Sequence, residues 1–534
     1  MEQAIFNYVN VLNFSVSKTW LKKMIASHSD YPSLLSVSDT LERLGLQHQI
    51  LRIAPEDLEH FSTPYLLHLN RSGGEMLLIT NENDLKSKNS DLEFWDGVIL
   101  KIYANDVIQD EESRKQLSEE SFLRVVITSL LVSIGLLLIL SFVQTQVWFH
   151  ALLLLTALGG ATIGYILIAK DLGINYKAVE AFCNTGTRAN CDRILTSDGA
   201  RLLGPISLSD VTLSYFIFQL VIIGILSPLI ENSETYLLAL AIASSLTVPV
   251  VLYSIYYQSV NAKIWCKLCL IVDGILVIQF ILFANLYVQN LIQPYAVELI
   301  SFLLLGSLFV IIAALTMLAK SLLEKTNQAV QAEIKANRIK NSPDLFSHQL
   351  FQSRRVDITP FEHEIVLGDK NAPIKIVMAA NLYCHPCKIG FGKVNQLLAV
   401  FPEKVNLSIR LVSSGGGNGQ QFSASGYLLA YWLHHIHGDD KEDIKTKQLF
   451  QDWYEKMDFA SFKTLYSVNS IIEVSSVEYL EYRHSDWIVE EQISGTPTWF
   501  LNGYQLPENY SIEDLMAIVP GLSETVNERK FIHE

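Results

Sequence analysis

The six cysteines stand at positions 183, 191, 266, 269, 384 and 387. They fall into three close pairs with none left over, and the first 182 residues have none. Even, paired usage points to disulfide chemistry outside a reducing cytosol. Two of the pairs are Cys-x-x-Cys. On the first turn of a helix, thiols at i and i+3 lie on one face, close enough to bridge. The amides exposed at a helix N-terminus carry partial positive charge and favour a thiolate. In Lys263-Ile264-Trp265-Cys266-Lys267-Leu268-Cys269 the pair borders an apolar run, Leu270 to Leu286. A redox pair there is well placed to exchange electrons with a molecule dissolved in lipid. Zinc is the competing use of such pairs. The two Cys-x-x-Cys pairs are more than a hundred residues apart, no His pair stands at finger spacing, and one pair borders a membrane span. No metal is therefore expected.

The elements that must position these pairs come next. The chain has 534 residues, half of them apolar, with a mean hydropathy of +0.25. That length allows several domains. A net charge of −15 argues against nucleic acid as a partner. Six apolar runs, near 125–143, 148–169, 211–230, 236–256, 268–288 and 297–319, are each about the ~20 residues needed to cross a bilayer. The first two are joined only by residues around Gln144-Thr145-Gln146, so a tight hairpin is expected. Six crossings leave both chain ends on one side. Met1 to Trp20 lacks a basic start, apolar core and small-residue cleavage site, so export would rely on the first membrane helix. The short connections near 144–147, 231–235 and 289–296 contain no Lys or Arg, whereas Lys170, Lys177 and Arg188 border the first cysteine loop. The positive-inside rule thus argues mildly against an outward loop, but thiol chemistry requires all three pairs to meet on one oxidising side.

Residues 1–115 read as a soluble α/β domain. Trp20 to Ala26 and Leu34 to Leu41 have helical apolar spacing, and Tyr65–Leu69, Glu75–Ile79 and Gly97–Ile102 read as strands. The strings HSDYPSLLSVSDTLERLGL, PYLLHL and GGEMLLIT resemble the papain-like C39 peptidase domain of bacteriocin exporters. The resemblance implies a cysteine nucleophile and a histidine base. This segment has no cysteine, and Glu75 stands where the family's histidine opens its strand, so an inactive relative kept for binding is expected. An unrelated accessory domain is the alternative. His28, His48, His60 and His68 have no nucleophile to serve and read as ordinary surface or core residues.

The loop between the second and third spans, Asp171 to Asp210, holds Cys183 and Cys191 in FCNTGTRANCDRILTSDGARLLGPISLS. With the later Cys-x-x-Cys, it resembles the vitamin K epoxide reductase (VKOR) family over about residues 148–320. The family's loop cysteine pair, serine six residues after the second cysteine, and Cys-x-x-Cys at the head of a later helix are matched in order by Cys183, Cys191, Ser197, Cys266 and Cys269. The resemblance implies a four-helix membrane core in a six-span region, 120–320. It also implies a loop pair that shuttles electrons and a quinone, menaquinone or ubiquinone, facing Cys269. Ser197 would shape the loop or the quinone mouth. Asp273 stands where animal members hold the quinone with a tyrosine. A carboxyl inside an apolar helix is costly and usually functional. It would either pass protons to the quinone or cap a polar contact.

Residues 321–345 read as a linker helix, and residues 358–520 resemble a thioredoxin fold of the oxidant, DsbA type. A buried strand, Ile374 to Ala380, runs into Asn381-Leu382-Tyr383-Cys384-His385-Pro386-Cys387 and then a helix from Lys388. Val405 to Val412 reads as a second strand, Ser413 to Gln421 as a Gly-rich loop, and the stretch to about Glu491 as helical. Gly495-Thr496-Pro497 resembles the superfamily's Thr-Pro turn, in which a cis proline faces the cysteines and backbone is offered to a bound polypeptide. His385 and Pro386 lie between the thiols. A histidine there favours the Cys384 thiolate and hence the reduced form, which makes an oxidant; a thioredoxin-type reductase is the alternative. His363, His434, His435 and His437 read as surface residues.

The expectation assembled from these parts is a multidomain α-helical membrane protein of the bacterial inner membrane, with its redox domains on the periplasmic side. It would oxidise reduced secreted or periplasmic proteins or peptides and pass electrons to the membrane quinone pool. A relay running in the reductive direction, and an export scaffold binding leader peptides, are the competing expectations.

Overall fold

The computed structural model describes residues 1–71, 74–87, 89–103, 111–145, 148–174, 177–184, 191–195, 197–203, 206–226, 233–289, 299–412, 423–468 and 474–530. The chain forms two compact units: Met1–Glu120 together with Glu333–Glu534, and Ser121–Ala332.

Helices α1 (Glu2–Val11), α2 (Lys18–Ala26) and α3 (Leu34–Arg43) cover one face of an antiparallel sheet. Ser17 and Ser33 cap α2 and α3 by accepting the amides of Trp20 and Ser36. The sheet is ordered β1-β4-β2-β3, with β1 (His48–Arg52), β2 (Tyr65–Leu69), β3 (Glu75–Ile79) and β4 (Trp95–Ile102); a short α4 (Glu82–Ser87) lies between β3 and β4. Of these strands β1 escapes the sequence reading, because its polar ends hide a two-residue apolar centre. Glu75 opens β3 opposite Leu69 of β2. His68 is held by Asp96 at 2.6 Å and His28 by Asp39 at 3.0 Å.

Helix α5 (Glu111–Thr145) carries the first apolar run. Then come α6 (Trp148–Asp171), two short loop helices α7 (Lys177–Asn184) and α8 (Cys191–Leu195), and a small hairpin of β5 (Arg201–Leu203) and β6 (Ile206–Ser207). The remaining long helices are α9 (Leu208–Val221), α10 (Ser233–Tyr256), α11 (Lys267–Val288) and α12 (Leu299–Lys340). Among the described residues five helices are long and apolar enough to cross a membrane: Phe149–Asp171, Leu208–Leu226, Tyr236–Ala262, Lys267–Val288 and Leu299–Lys340. The remaining run, the first of the six, lies on α5, part of whose side chains fall outside the described residues. Helix α12 is continuous from 299 to 340, so the polar stretch from Lys320 is no separate linker helix. Helices α6 and α9 touch closely because Gly160 has no Cβ: one there would fall inside the Phe216 ring. Gln279 donates to Thr156 at 3.1 Å and to Gln219 at 2.9 Å, with both glutamines fully buried, so α6, α9 and α11 are pinned by polar bonds inside the bundle.

After α13 (Pro343–Gln352) the last segment builds a five-stranded sheet ordered β11-β10-β8-β9-β7. Its strands are β7 (Val366–Gly368), β8 (Ile374–Ala380), β9 (Val405–Leu411), β10 (Thr498–Leu501) and β11 (Tyr504–Gln505). Only β8 and β9 are parallel, joined by the crossover helix α14 (His385–Val400). This is the strand order a thioredoxin fold requires. Helices α15 (Ala424–His435), α16 (Glu442–Lys456), α17 (Phe459–Leu465) and α18 (Val474–Glu490) are inserted before β10, and α19 (Leu515–Lys530) follows β11. The expected Gly-rich loop lies outside the described residues, which resume at Ser423. Trp432, Phe450 and Trp453 fill the core, and Trp453 Nε1 donates to the Leu382 carbonyl at 2.7 Å, tying the insertion to the residues before Cys384. The first and last segments meet through Lys404–Glu42 (2.9 Å), Lys23–Glu333 (2.7 Å) and Arg338, which donates to the Ala26 carbonyl at 2.8 Å.

Candidate active site

Four of the six cysteines gather in the helical unit. Cys183, Cys191 and Cys266 are fully buried in one apolar cluster, and Cys269 packs at its edge. Cys183 sits near the end of α7 and Cys191 opens α8, so the loop forms two short helices. Their thiols lie side by side, and burial together with Cys191 pushes the Cys183 thiol up to about 12. Residues 185–190 between them lie outside the described residues.

Cys266 is the N-cap of α11, its Sγ accepting from the Cys269 amide at 3.2 Å, and the two sulfurs are joined as a disulfide. The Cys266 amide donates to Gln258 Oε1 at 2.8 Å. Gln258 Nε2 donates to Ser254 Oγ at 3.0 Å, and Ser254 Oγ donates to Asp273 Oδ2 at 2.8 Å. A π-helical turn, Tyr257–Ala262, ends α10 and carries Gln258 inward; Lys263 then reverses the chain in the left-handed region, φ 52°. Lys267, between the cysteines, donates from Nζ to the Phe182 carbonyl at 3.0 Å and lies over the Phe182 ring. The motif thus grips the residue beside Cys183.

Cys269, Ser254, Asp273, Tyr253 and Tyr257 line a cavity whose other walls are mainly apolar, Ile194, Leu195, Val250 and Leu276 among them. Gly199 is also in that wall, and a Cβ there would strike the Tyr257 ring. The cavity shares Leu208, Thr212, Val250 and Leu276 with a nearly all-apolar groove of about 420 Å³ between α9, α10 and α12. Ser197 does not line the cavity: its hydroxyl donates to the Ile194 carbonyl at 2.6 Å and closes the end of α8. Asp273, one turn beyond Cys269, does line it. Sequence reasoning missed Ser254, Gln258 and Lys267. A Ser/Gln pair at i, i+4 near the end of an apolar helix is the signal for the first two.

The third pair belongs to the other unit. Cys384 is the N-cap of α14, with His385 and Pro386 as its exposed first residues. The Thr496–Pro497 bond is cis, and Cys384 Sγ donates to the Thr496 carbonyl at 3.2 Å. Cys387 is buried, its Sγ accepting from the Asn381 amide at 3.5 Å. Burial alone would raise the Cys384 thiol. Hydrogen bonds from Cys387, the Thr496 side chain and the Cys387 amide outweigh it and hold the thiol below its ordinary value. Burial pushes Cys387 up to about 12. One sulfur is therefore partly exposed and the more acidic of the two, and the other is buried and the less reactive.

Residues 151–284 match the vitamin K epoxide reductase family, so the chain carries a domain of that family holding Cys183, Cys191, Cys266 and Cys269. The match covers less of the chain than the 148–320 read from the motifs. A comparison with curated proteins finds no match. Among solved structures the chain is similar to oxidised BdbD from Bacillus subtilis, with 16% identity over 33% of this chain and 97% of that one and a TM-score of 0.24. It is also similar to a periplasmic thioredoxin-like protein from Salmonella enterica serovar Typhimurium, with 14% identity over 34% and 97% and a TM-score of 0.25. The catalytic domain of Proteus mirabilis ScsC gives 17% identity over 31% and 89%, with a TM-score of 0.24.

Proposed function

We propose that this chain is a membrane thiol–disulfide oxidoreductase that oxidises client dithiols and passes the electrons through its three cysteine pairs to a quinone. The observation that carries the reading is the shared burial of Cys183, Cys191 and Cys266, with Cys269 beside them and facing a cavity. Thiol–disulfide exchange moves electrons only between sulfurs that can touch.

A client thiolate attacks Cys384 of the oxidised Cys384–Cys387 pair, forming a mixed disulfide and releasing Cys387. A second client thiolate then displaces Cys384, leaving the client oxidised and the pair reduced. Thr496 and Pro497 offer backbone to the bound client, with His385 and Pro386 beside it. The reduced pair next reduces the Cys183–Cys191 disulfide, and the loop pair reduces Cys266–Cys269. A quinone held at the cavity, menaquinone or ubiquinone, would accept two electrons and two protons. The residues present suit such a group: a hydroxyl and a carboxyl stand beside Cys269, and an apolar groove adjoins them. Ser254 fixes the Asp273 carboxyl, which supplies or takes up protons there. Ser197 holds the end of α8 in the wall of the cavity.

The same reading places the redox pairs on the periplasmic side of a bacterial inner membrane, with four of the long helices as the VKOR core. The domains are then 1–115, 120–320 and 358–520. It makes residues 1–115 an inactive relative of the C39 peptidases that binds polypeptide, with Glu75 at the head of β3 where that family's histidine would stand.

The purified chain, given a soluble quinone and a reduced dithiol peptide, should reduce the quinone and form the peptide disulfide. Turnover should vanish when Cys266 or Cys269 is replaced by serine. Turnover only from quinol to disulfide would reverse the direction, and no turnover with intact cysteines would favour a scaffold.

A further inference from the structure

Among the described residues, Lys170 is a charged side chain beside the loop pair whose position the sequence does not explain. It ends α6, a membrane helix, yet its side chain is 1% exposed. Its Nζ bonds Asp192 Oδ1 at 2.6 Å, and Asp192 follows Cys191 directly on α8. Its charge acts on both Cys183 and Cys191 and opposes the upward push that burial gives the Cys183 thiol. The other charges near the pair are differently disposed. Lys267 spends its ammonium on the Phe182 carbonyl, and Glu180 on α7 and Arg193 on α8 are exposed. A buried ammonium is costly unless its surroundings use the charge. Asp192 is half exposed and accounts for only part of it.

The geometry points to Lys170 as the residue that holds the thiolate released when the Cys183–Cys191 disulfide is opened. An incoming thiolate from a dithiol bonds to one loop sulfur. The S–S bond breaks, and the other sulfur leaves with the electron pair as a thiolate inside an apolar cluster. The Lys170 ammonium meets that negative charge, and no proton need enter. Lys170 is a positioning residue for the loop pair: stabilising its thiolate favours the reduced form and strengthens the pair as an oxidant of the dithiol that feeds it. Asp192 tempers the effect by sharing the ammonium. This also gives Lys170 a reason to stand at the edge of a loop where topology disfavours lysine.

The inference rests on reading the loop pair as a relay couple. The test is the equilibrium of Cys183–Cys191 with a dithiothreitol redox buffer, in the full chain with its other four cysteines as serine, trapped by acid and read by mass spectrometry. In Lys170→Met the reduced fraction should fall, with the equilibrium constant lower by about tenfold, or about 30 mV for a two-electron couple. Lys170→Arg should restore most of it, and Asp192→Asn should move the couple the opposite way. An unchanged constant in Lys170→Met, an arginine no better than methionine, or Asp192→Asn shifting in the same direction as Lys170→Met would each overturn the role. A relay that is wrong as a whole shows up separately, as absent electron delivery in the unmodified chain.

Discussion

The Gln258 side-chain carbonyl accepts the Cys266 amide at 2.8 Å, so the N-cap of the redox helix is completed by a residue of the preceding membrane helix. The bond fixes the Cys-x-x-Cys turn and, through Ser254, the carboxyl of Asp273. A polar chain of four groups thus runs from one end of the disulfide to the wall of the cavity that Cys269 faces.

That chain separates the two roles open to Asp273. Asparagine keeps a hydrogen-bonding oxygen for Ser254 but cannot exchange a proton. Asp273→Asn should lower quinone reduction by about 100-fold, the scale of general acid–base catalysis, with the bundle intact. If the carboxyl only caps a polar contact, the asparagine variant will turn over nearly as fast as the parent. Steady-state quinone reduction across a pH series distinguishes the two, because only a proton-transfer role removes an inflection from the profile.

Lys267 ties the first turn of the Cys-x-x-Cys helix to α7 through the Phe182 carbonyl, one residue from Cys183. A hydrogen bond from a charged group contributes about 1.5–3 kcal/mol. Lys267→Met should therefore loosen the docked loop and slow electron transfer from the loop pair to Cys266 by about tenfold. The redox chemistry of Cys384–Cys387 should not change. Rapid acid quenching of the chain after a pulse of dithiol, with the redox state of each pair read by mass spectrometry, measures the step.

In the other unit, Cys384 and Cys387 should titrate far apart. In the reduced chain this pair should be alkylated once, at Cys384, with an inflection below that of an ordinary thiol; Cys387, pushed up to about 12, should stay unreacted through neutral pH. The sign for stability follows. A thiol whose folded value is depressed contributes stability above its unfolded value and loses it as pH falls through the folded value. The reduced form should gain on the oxidised form as pH rises through that window, and the pair should become the stronger oxidant. Reduced fractions in a glutathione buffer between pH 4 and pH 9 check it, and a flat response would refute the hydrogen bonds named here as the cause.

Much of this was legible in the residues, for definable reasons. The Cys384 segment announces itself because strand, Cys-x-x-Cys and helix are contiguous, and a local motif needs no long-range information. The cis Thr496–Pro497 bond was legible for the same reason. The cavity was not. Its polar groups come from the largely apolar α10 and α11 and the π-helical turn after α10; Asp273 was legible as a lone carboxyl in an apolar helix, but Ser254 and Gln258 gain meaning only when that turn swings Gln258 onto the Cys266 amide. Ser197 shows the converse: its spacing from Cys191 marked it for the site, yet its hydroxyl is used by the Ile194 carbonyl. The helices α7 and α8 were hidden because stretches that short carry too little apolar period to detect.

His484 gives the C-terminal unit a dependence on acid that no motif reveals. It is fully buried on α18, its Nδ1 accepts the Leu411 amide at 3.0 Å, and its Nε2 has no partner among the described residues. Burial, with the Arg410 guanidinium beside it, pushes its pKa down to about 3. Arg410 is itself fully buried, paired to Glu364 at 2.7 Å and stacked on Phe361 and Trp487, so its charge cannot move away. The folded chain keeps His484 neutral, while the unfolded chain protonates it near pH 6.5. Stability from this residue is thus present above about pH 6.5 and is lost as pH falls from there toward about 3. Glutamine retains an acceptor for Leu411 and does not titrate. In His484→Gln, hydrogen exchange at the β9 amides of the full chain should therefore depend less on acid between pH 6.5 and pH 4 than in the parent. Equal acid sensitivity in the two chains would place the loss on other groups, the Glu364–Arg410 pair first among them.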